Sequence, residues 1–458
     1  MDEIFGKSLP KVITELPGPN SKELARLTEK YEPRGIISTQ KNENIIFWRK
    51  AHDANVYDVD GNLFIDCTSG FGVAAVGHSN ASVTAAIQEQ SNQLLHSVGE
   101  IFPHSLRAKL AEAIIQIAGR HLDYQLIFTN SGSEAVEVAI KTAILFTKKS
   151  GVISFVGGFH GQSIGALAVS SQREFRDPFT QVISPKTVFV TYPNPYRPNM
   201  LHEDSDTGAM CLQSIESLLQ DRVSGIPDIG AIVVEPIQGV HGYIVPPPNF
   251  LSGLRVLCNK YKILLIADEI FTGFGRTGNW LAMDHENVVA DITCVGKAMT
   301  GGLPLAACIA KREIMNAWDT DGFISLHGST FAPNPLSCAA ALATIEQMNS
   351  LKLIEKSEAV GQKLLEKFYE LKEKFGVIGD VRGRGMALAI ELVKDRYSKE
   401  PNPEATSKII GFMLSKGVMC ISTGYPIGNV IAFSPPLVIS EAQLDYVVAT
   451  LSEGLKLI

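Results

Sequence analysis

Five short apolar runs each break off on residues that could do chemistry. KILLIA runs into Asp268 and Glu269, ITCVG ends on Lys297, VISFV leads to Gly157-Gly158-Phe159-His160-Gly161, AIVV stops at Glu235, and LIFTN opens onto Ser131-Gly132-Ser133-Glu134. A carboxylate at the end of a buried strand is costly unless a cation or a proton donor meets it. The seven residues after Asp268 contain no Lys or Arg, so its partner must come from elsewhere in the fold or from a ligand. A lysine at a buried strand end is uncommon unless it is paired or used covalently. Small residues that open a helix leave backbone N–H groups and a positive dipole end facing outward, a seat for a phosphate. Each feature alone has a plainer reading. Ser131 with Glu134 is an N-capping pattern, Phe159 can be a core residue in a glycine turn, and Lys297 can reach solvent along its apolar stem.

The elements that must position these residues follow from hydrophobic pattern. Short, nearly all-apolar strands alternate with helical stretches from Leu126 to Met299. That alternation predicts a parallel-rich α/β sheet covered by helices. In open sheets of this kind, ligands collect at the carboxyl ends of the strands, where all five groups stand. Before it, Asn44 to Asp66 alternates and turns at Asp60-Gly61, which predicts a hairpin or small meander. Helical spacing marks Ala81–His96, Leu106–Ile117, Leu336–Met348 and Leu353–Phe375. Residues 1–40 are polar and punctuated by proline, and read as an arm on the surface or on a partner. No internal repeat is visible.

Taken together, a phosphate seat, an aromatic plate, a carboxylate and a lysine are what pyridoxal phosphate requires. Lys297 would form a Schiff base with its aldehyde and then shuttle a proton, while Asp268 would meet the pyridine nitrogen and keep it protonated. Phe159 would stack on the ring. The partner that Asp268 lacks in sequence would then be the cofactor itself.

Composition narrows the alternatives. The chain has 458 residues, 45% hydrophobic and 19% charged, with a net charge of −7 and no long basic block. This argues against nucleic acid as the main partner. No apolar run reaches the ~18 residues needed to cross a bilayer. The first residues, MDEIFGKSLPKVITELPGPNS, lack the layout of a secretory signal. The seven cysteines are scattered without CxxC spacing, so neither a disulfide framework nor a metal site is expected. A cytoplasmic enzyme is the expectation.

The chain resembles the class III (ω-amino-group) aminotransferases of the type I pyridoxal-phosphate fold. NSGSEAVEVAIK, GFHGQS, VEPIQG, ADEIFTGFGRTG, VGKAMTGGLPLAA, HGSTFAPNPLSCAAALAT and IGDVRGRGMALAIEL carry the resemblance, in the family's order. It implies a large domain with a mostly parallel seven-stranded sheet and a smaller α+β domain. We place an N-terminal arm and part of the small domain at 1–65, the large cofactor-binding domain at 66–333, and the C-terminal small domain at 334–458. It also implies that Lys297 is the Schiff-base lysine and Asp268 the ring-nitrogen partner. Gly132 and Ser133 match the phosphate seat, Phe159 the stacking position, and Thr330 a residue that reaches the neighbouring subunit's phosphate. His160 and Glu235, inside GFHGQS and VEPIQG, join the cofactor-binding set. The implied assembly is a homodimer with shared active sites, acting on a small amino donor and a 2-oxo acid acceptor.

Departures from the family pattern bear on substrate. Val240 stands where many members carry Glu, Ala432 where many carry Arg, and Phe271 where glutamate- or ornithine-type members carry Gln. In members that use glutamate, that Arg reads the α-carboxylate and the Glu gates it. Both are absent here, so an apolar wall of Phe71, Val240, Phe271 and Ala432 is expected. Arg276, Arg382, Arg384 or Lys41 would have to substitute as a carboxylate reader, with Arg276 taken as a loop-structuring residue. The expected reaction moves an amino group between an amine or ω-amino acid and a 2-oxo acid. An amino-acid racemase or epimerase on the same fold and lysine is the alternative.

Overall fold

Why the apolar runs lie where they do is plain from the seven-stranded sheet they build. The computed structural model describes residues 5–33, 45–119, 123–183, 186–198, 206–221, 223, 225–319 and 325–458. Strands β4 (Tyr124–Thr129), β5 (Gly151–Phe155), β6 (Thr187–Val190), β7 (Ile229–Val234), β8 (Leu264–Asp268), β9 (Ile292–Val295) and β10 (Ala306–Lys311) take the order β4-β10-β9-β8-β7-β5-β6. The run β6-β5-β7-β8-β9 is parallel, and β10 is antiparallel to both its neighbours. It follows that β4 points the same way as β9, and the carboxyl ends of β4, β5, β7, β8 and β9 share one edge.

Strands β5, β7, β8 and β9 are buried along their whole length, because helices cover both faces. Alternate residues of one strand therefore enter different cores. On β8, Leu265 packs with Ile153, Phe250 and Leu254, whereas Ile266 packs with Val136, Val233 and Ala139. Burying each such side chain contributes about 1.5–3 kcal/mol.

A meander of β1 (Trp48–His52), β2 (Asn55–Asp58) and β3 (Leu63–Asp66) precedes this sheet, as the alternation of Asn44–Asp66 predicts. The short β13 (Val418–Met419) extends it in parallel with β3. The arm before it is anchored by two buried asparagines. Asn62 Oδ1 accepts the amides of Ile13 and Thr14 at 2.7 and 3.0 Å, and Asn55 Oδ1 those of Gly6 and Ser8 at 3.1 and 2.9 Å. Within the arm, Pro19–Tyr31 is helical. A third sheet, β11 (Ile378–Arg384), β12 (Ala387–Leu392), β15 (Val430–Phe433) and β14 (Ile421–Thr423), is antiparallel throughout. Helices Leu353–Lys374 and Pro403–Ser415 pack on it, and Glu441–Leu455 packs on those two helices.

The helix expected over Ala81–His96 stops at Ser91. The Asn92 amide bonds back to Glu89 and Gln90, and the Leu95 carbonyl is captured at 3.0 Å by Asn334 Nδ2. That long-range bond pulls the chain out of helical register, and local spacing carries no sign of it. The helices expected at Leu336–Met348 and Leu353–Phe375 run Pro335–Ser350 and Leu353–Lys374.

Candidate active site

At the shared carboxyl edge lies a cavity of about 340 Å³. Gly132, Ser133, Phe159, His160, Glu235, Asp268, Lys297, Phe71, Val240 and Phe271 all line it. Ten residues named from sequence thus meet on one wall, drawn from separate strand ends. The volume lies in the range of small-molecule and cofactor sites.

Lys297 follows β9 at φ +40°, a left-handed conformation that costs a non-glycine residue and is found where function requires it. Among the described residues its ammonium makes no hydrogen bond or ion pair. It stands over the Phe271 ring, whose centroid lies 5.0 Å from Nζ. Burial pulls its pKa below the ordinary lysine range; Arg276 adds to this, and the carboxylates of Asp268 and Glu235 oppose it without restoring the usual value. A lysine held this way spends more time as a free amine, the nucleophilic form.

Asp268 ends β8 with 5% of its surface exposed. Its Oδ1 accepts the Ile270 amide at 3.1 Å, and its Oδ2 lies 2.7 Å from His160 Nδ1. The expectation that a ligand is its partner is therefore incomplete: the fold itself supplies His160, from the turn after β5. For His160, burial disfavours the charged ring. The Asp268 hydrogen bond and the charges of Asp268 and Glu235 outweigh burial and raise its pKa.

Glu235 clamps two turns. Its Oε2 accepts the Phe159 amide at 3.0 Å and its Oε1 the Gly239 amide at 3.1 Å. Burial pushes its carboxyl up to about 7. At the phosphate-seat turn both readings hold at once. Ser131 caps the helix by accepting the Glu134 amide at 3.2 Å, and Glu134 takes the Asn130 amide at 2.7 Å. Among the described residues, the amides of Gly132 and Ser133 carry no hydrogen bond, and both residues line the cavity at the start of the Gly132–Thr147 helix. A Cβ on Gly161, at φ +123°, would collide with Ser133, so glycine is required for the two turns to meet.

The remaining expected residues fall elsewhere. Ala432 is 1% exposed and packs with Ile237, Tyr243, Ala389 and Val430. It stands one strand behind Ile421, its register partner, which lines the cavity. Thr330 is exposed and outside the cavity wall. Lys41 lies outside the described residues. Arg382 is committed to Asp380 at 2.8 Å, Glu391 at 2.7 Å and the Gly242 carbonyl at 2.8 Å. Arg384 lines a separate recess with His285 and Glu286. Arg276 is fully buried and pulled down to about 10 by burial. Among the described residues, Lys297 is the only Lys or Arg in the cavity wall.

Sequence reasoning missed Tyr243, Ile421, Ser422, Thr423 and Ser434, which also line the cavity. Tyr243 and Ser434 adjoin the flagged Val240 and Ala432, and that adjacency is the only signal they give. Ile421–Thr423 comes from the third sheet and shows none.

The unpaired amine, the free amides at a helix start and the buried carboxylate fit pyridoxal phosphate, and fold and site together define a transferase that uses this cofactor. A family model described as Aminotransferase class-III matches residues 36–455. The chain belongs to the class III aminotransferases, pyridoxal-phosphate-dependent enzymes. It is 36% identical over 440 residues to a 4-aminobutyrate aminotransferase of Mycobacterium leprae, covering 95% of each chain. It is 33% identical over 462 residues to an alanine/serine racemase of Pyrococcus horikoshii, covering 99% of this chain and 94% of the other. Among solved structures, an aminotransferase of Bacillus anthracis superposes with a TM-score of 0.88 at 29% identity, covering 97% of this chain and 100% of that one. An amine transaminase from an uncultivated Pseudomonas species, in its pyridoxal-phosphate-bound form, gives 0.85 at 30% identity, covering 93% and 98%.

Proposed function

We propose that this aminotransferase moves an amino group between a primary amine or ω-amino acid and a 2-oxo acid, with Lys297 as the anchoring and proton-carrying amine. One observation carries the reading: an unpaired lysine amine, lowered in pKa and held at a strained φ, shares a cavity wall with a buried Asp–His pair. Gly132 and Ser133 would seat the phosphate, Phe159 would lie against the ring, and Asp268 would meet its nitrogen. When bound, pyridoxal phosphate supplies an aldehyde that condenses with amines and a ring that accepts electrons.

The protein's own groups do the rest. Asp268, held by His160 and the Ile270 amide, keeps negative charge at one fixed point. Lys297 would anchor the cofactor and, as a free amine, would be the base that moves the proton of the substrate carbon. Glu235 keeps Phe159 and Gly239 in place. Phe71, Val240, Tyr243, Phe271 and Ile421 exclude water from the substrate side. With no second Lys or Arg in the described wall, an amine with an uncharged tail suits the cavity better than a dicarboxylic donor.

Racemisation is the second reading, and the racemase relative supports it. It needs the same lysine but returns the proton to the substrate carbon. Transamination has the broader support, since 4-aminobutyrate and 5-aminovalerate aminotransferases stand among the similar proteins. The domain division at 65/66 and 333/334 and a cytoplasmic location belong to this proposal; no helix of the described residues is long and apolar enough to cross a membrane. So does a homodimer, in which Thr330 would reach the neighbouring site. Ile101, Phe102 and Phe331, 68%, 70% and 61% exposed, give an apolar surface suited to a second copy.

Borohydride reduction of the cofactor-loaded chain, followed by peptide mass mapping, tests the anchor. The added mass is expected on the peptide containing Lys297 and absent in Lys297→Ala. A stable adduct on any other lysine would overturn the assignment.

A further inference from the structure

Arg276 is a fully buried guanidinium that, among the described residues, bonds no carboxylate. Its bonds go to three neutral groups: Pro435 O at 2.7 Å and Met386 O at 3.2 Å from Nη1, and Ser69 Oγ at 3.2 Å from Nη2. Ser69 Oγ in turn donates to the Ser434 carbonyl at 2.6 Å. A buried cation spent on neutral acceptors fixes segments that would otherwise separate, and here one of them is unusual. Ser69, Gly70, Phe71 and Gly72 have φ of +50°, +56°, +62° and +84°, a run of consecutive left-handed residues. Glycine adopts this freely; serine and phenylalanine do so at a cost, and such strain persists only where surroundings enforce it.

The enforcement is visible on both sides of the turn. Asp66, fully buried, accepts the Thr68 amide and hydroxyl at 2.7 Å each and the Gly70 amide at 3.2 Å, and lies 2.7 Å from His78 Nε2. Arg276 and Ser434 hold Ser69 from the other side. The result is a Phe71 ring that is 69% exposed yet lines the cavity, stationed at its mouth. A free chain would not place a phenylalanine so.

We infer that Arg276 is a positioning residue for substrate selection: acting through Ser69, it locks the left-handed turn that stations Phe71 at the cavity mouth. This rests on the transaminase reading for its substrate class, primary amines with apolar substituents. It gives the buried arginine a role distinct from reading a carboxylate.

Ser69→Ala tests it, because it removes the hydroxyl that ties the turn to Arg276 and to the Ser434 carbonyl and leaves the guanidinium in place. It is made in the native chain and in Phe71→Ala, both loaded with cofactor. KM and kcat are measured for 1-phenylethylamine and 2-aminobutane with pyruvate as acceptor. In the native background KM for 1-phenylethylamine is expected to rise about tenfold, with kcat and both constants for 2-aminobutane within about twofold. In the Phe71→Ala background Ser69→Ala is expected to change neither KM. An unchanged KM in the native background, or an equal rise in both backgrounds, overturns the inference. Should neither amine react, the substrate reading fails, and amide hydrogen exchange of the peptide spanning 67–73 decides the positioning claim instead. Faster exchange in Ser69→Ala sustains it, and unchanged protection overturns it.

Discussion

His160 Nδ1 and Asp268 Oδ2 lie 2.7 Å apart, one on the turn after β5 and the other at the end of β8, and both are buried. Deleting the imidazole leaves a buried carboxylate supported by one backbone amide. His160→Ala is expected to lower kcat by about 10²-fold, the scale of losing one placed electrostatic group, with His160→Asn losing less. Steady-state kinetics with alanine and pyruvate check this.

The same pair has a pH signature. The His160 pKa is raised in the folded chain, so its contribution to stability is fully present below pH 6.5, its unfolded value. That contribution is lost as pH rises through the higher folded value. Urea unfolding of native and His160→Asn apoprotein should therefore differ more at pH 5.5 than at pH 9. A constant difference would remove the charged pair from the account.

Glu269 titrates in the same direction but in a more acidic window. It is fully buried and accepts the Thr272 hydroxyl and the Ala282 and Met283 amides, at 3.0 and 2.8 Å for the amides, yet burial pushes it up to about 7. Between the unfolded value of 4.5 and about 7 the folded chain holds a proton that the unfolded chain releases. Stability from this group therefore falls as pH rises across that window, by about 1.4 kcal/mol for each pH unit. Glu269→Gln is expected to be less stable overall, by about 1–3 kcal/mol for a compromised buried acceptor, and to flatten that part of the pH profile. Calorimetry from pH 4.5 to 8 reads both effects.

Much of the site was legible because its chemistry sits where strands end. An apolar run that stops on Asp268, Glu235 or Lys297 announces both the element and the exposed end, and parallel strands bring those ends together. What stayed hidden depends on contacts distant in sequence. Asp268 and His160 are 108 residues apart, and nothing local pairs them. Strand β14 supplies Ile421–Thr423 to the wall through another sheet altogether. Ala432 shows the limit in the other direction: its place in a family pattern marked it as wall, whereas in the fold it lies one strand behind Ile421, buried among Ile237, Tyr243 and Val430.

That position yields a further prediction. Ala432→Arg alone puts a cation among Ile237, Ala389 and Val430, and should cost about 3–5 kcal/mol by leaving a buried charge unpaired. Adding Val240→Glu is expected to recover part of that loss and to raise the rate with glutamate. Additive destabilisation, with no gain for glutamate, would show that the two positions do not face one another. Unfolding curves for both single variants and the double variant give the coupling.

The Arg382 network ties the cavity loop to the third sheet. Arg382 bonds Asp380, Glu391 and the Gly242 carbonyl, and Arg197 joins Glu391 at 2.5 Å. Arg382→Ala is expected to cost about 1–3 kcal/mol, because it removes one of the two cations on the buried Glu391 carboxylate and leaves Arg197 on the other oxygen. It should also weaken amine binding through the loop that carries Val240 and Tyr243. A loss under about 1 kcal/mol by urea unfolding would class the network with surface ion pairs.

The most direct test of amino transfer at Lys297 is a half-reaction. The cofactor-loaded chain is mixed with 1-phenylethylamine, alanine or glutamate in turn, without any oxo acid, and the visible band of the lysine-linked cofactor is followed. The band is expected to bleach with 1-phenylethylamine and alanine, more slowly with glutamate, and to return when pyruvate is added. A band that persists with every donor, while alanine loses its optical purity, would contradict transamination and establish the racemase reading in its place.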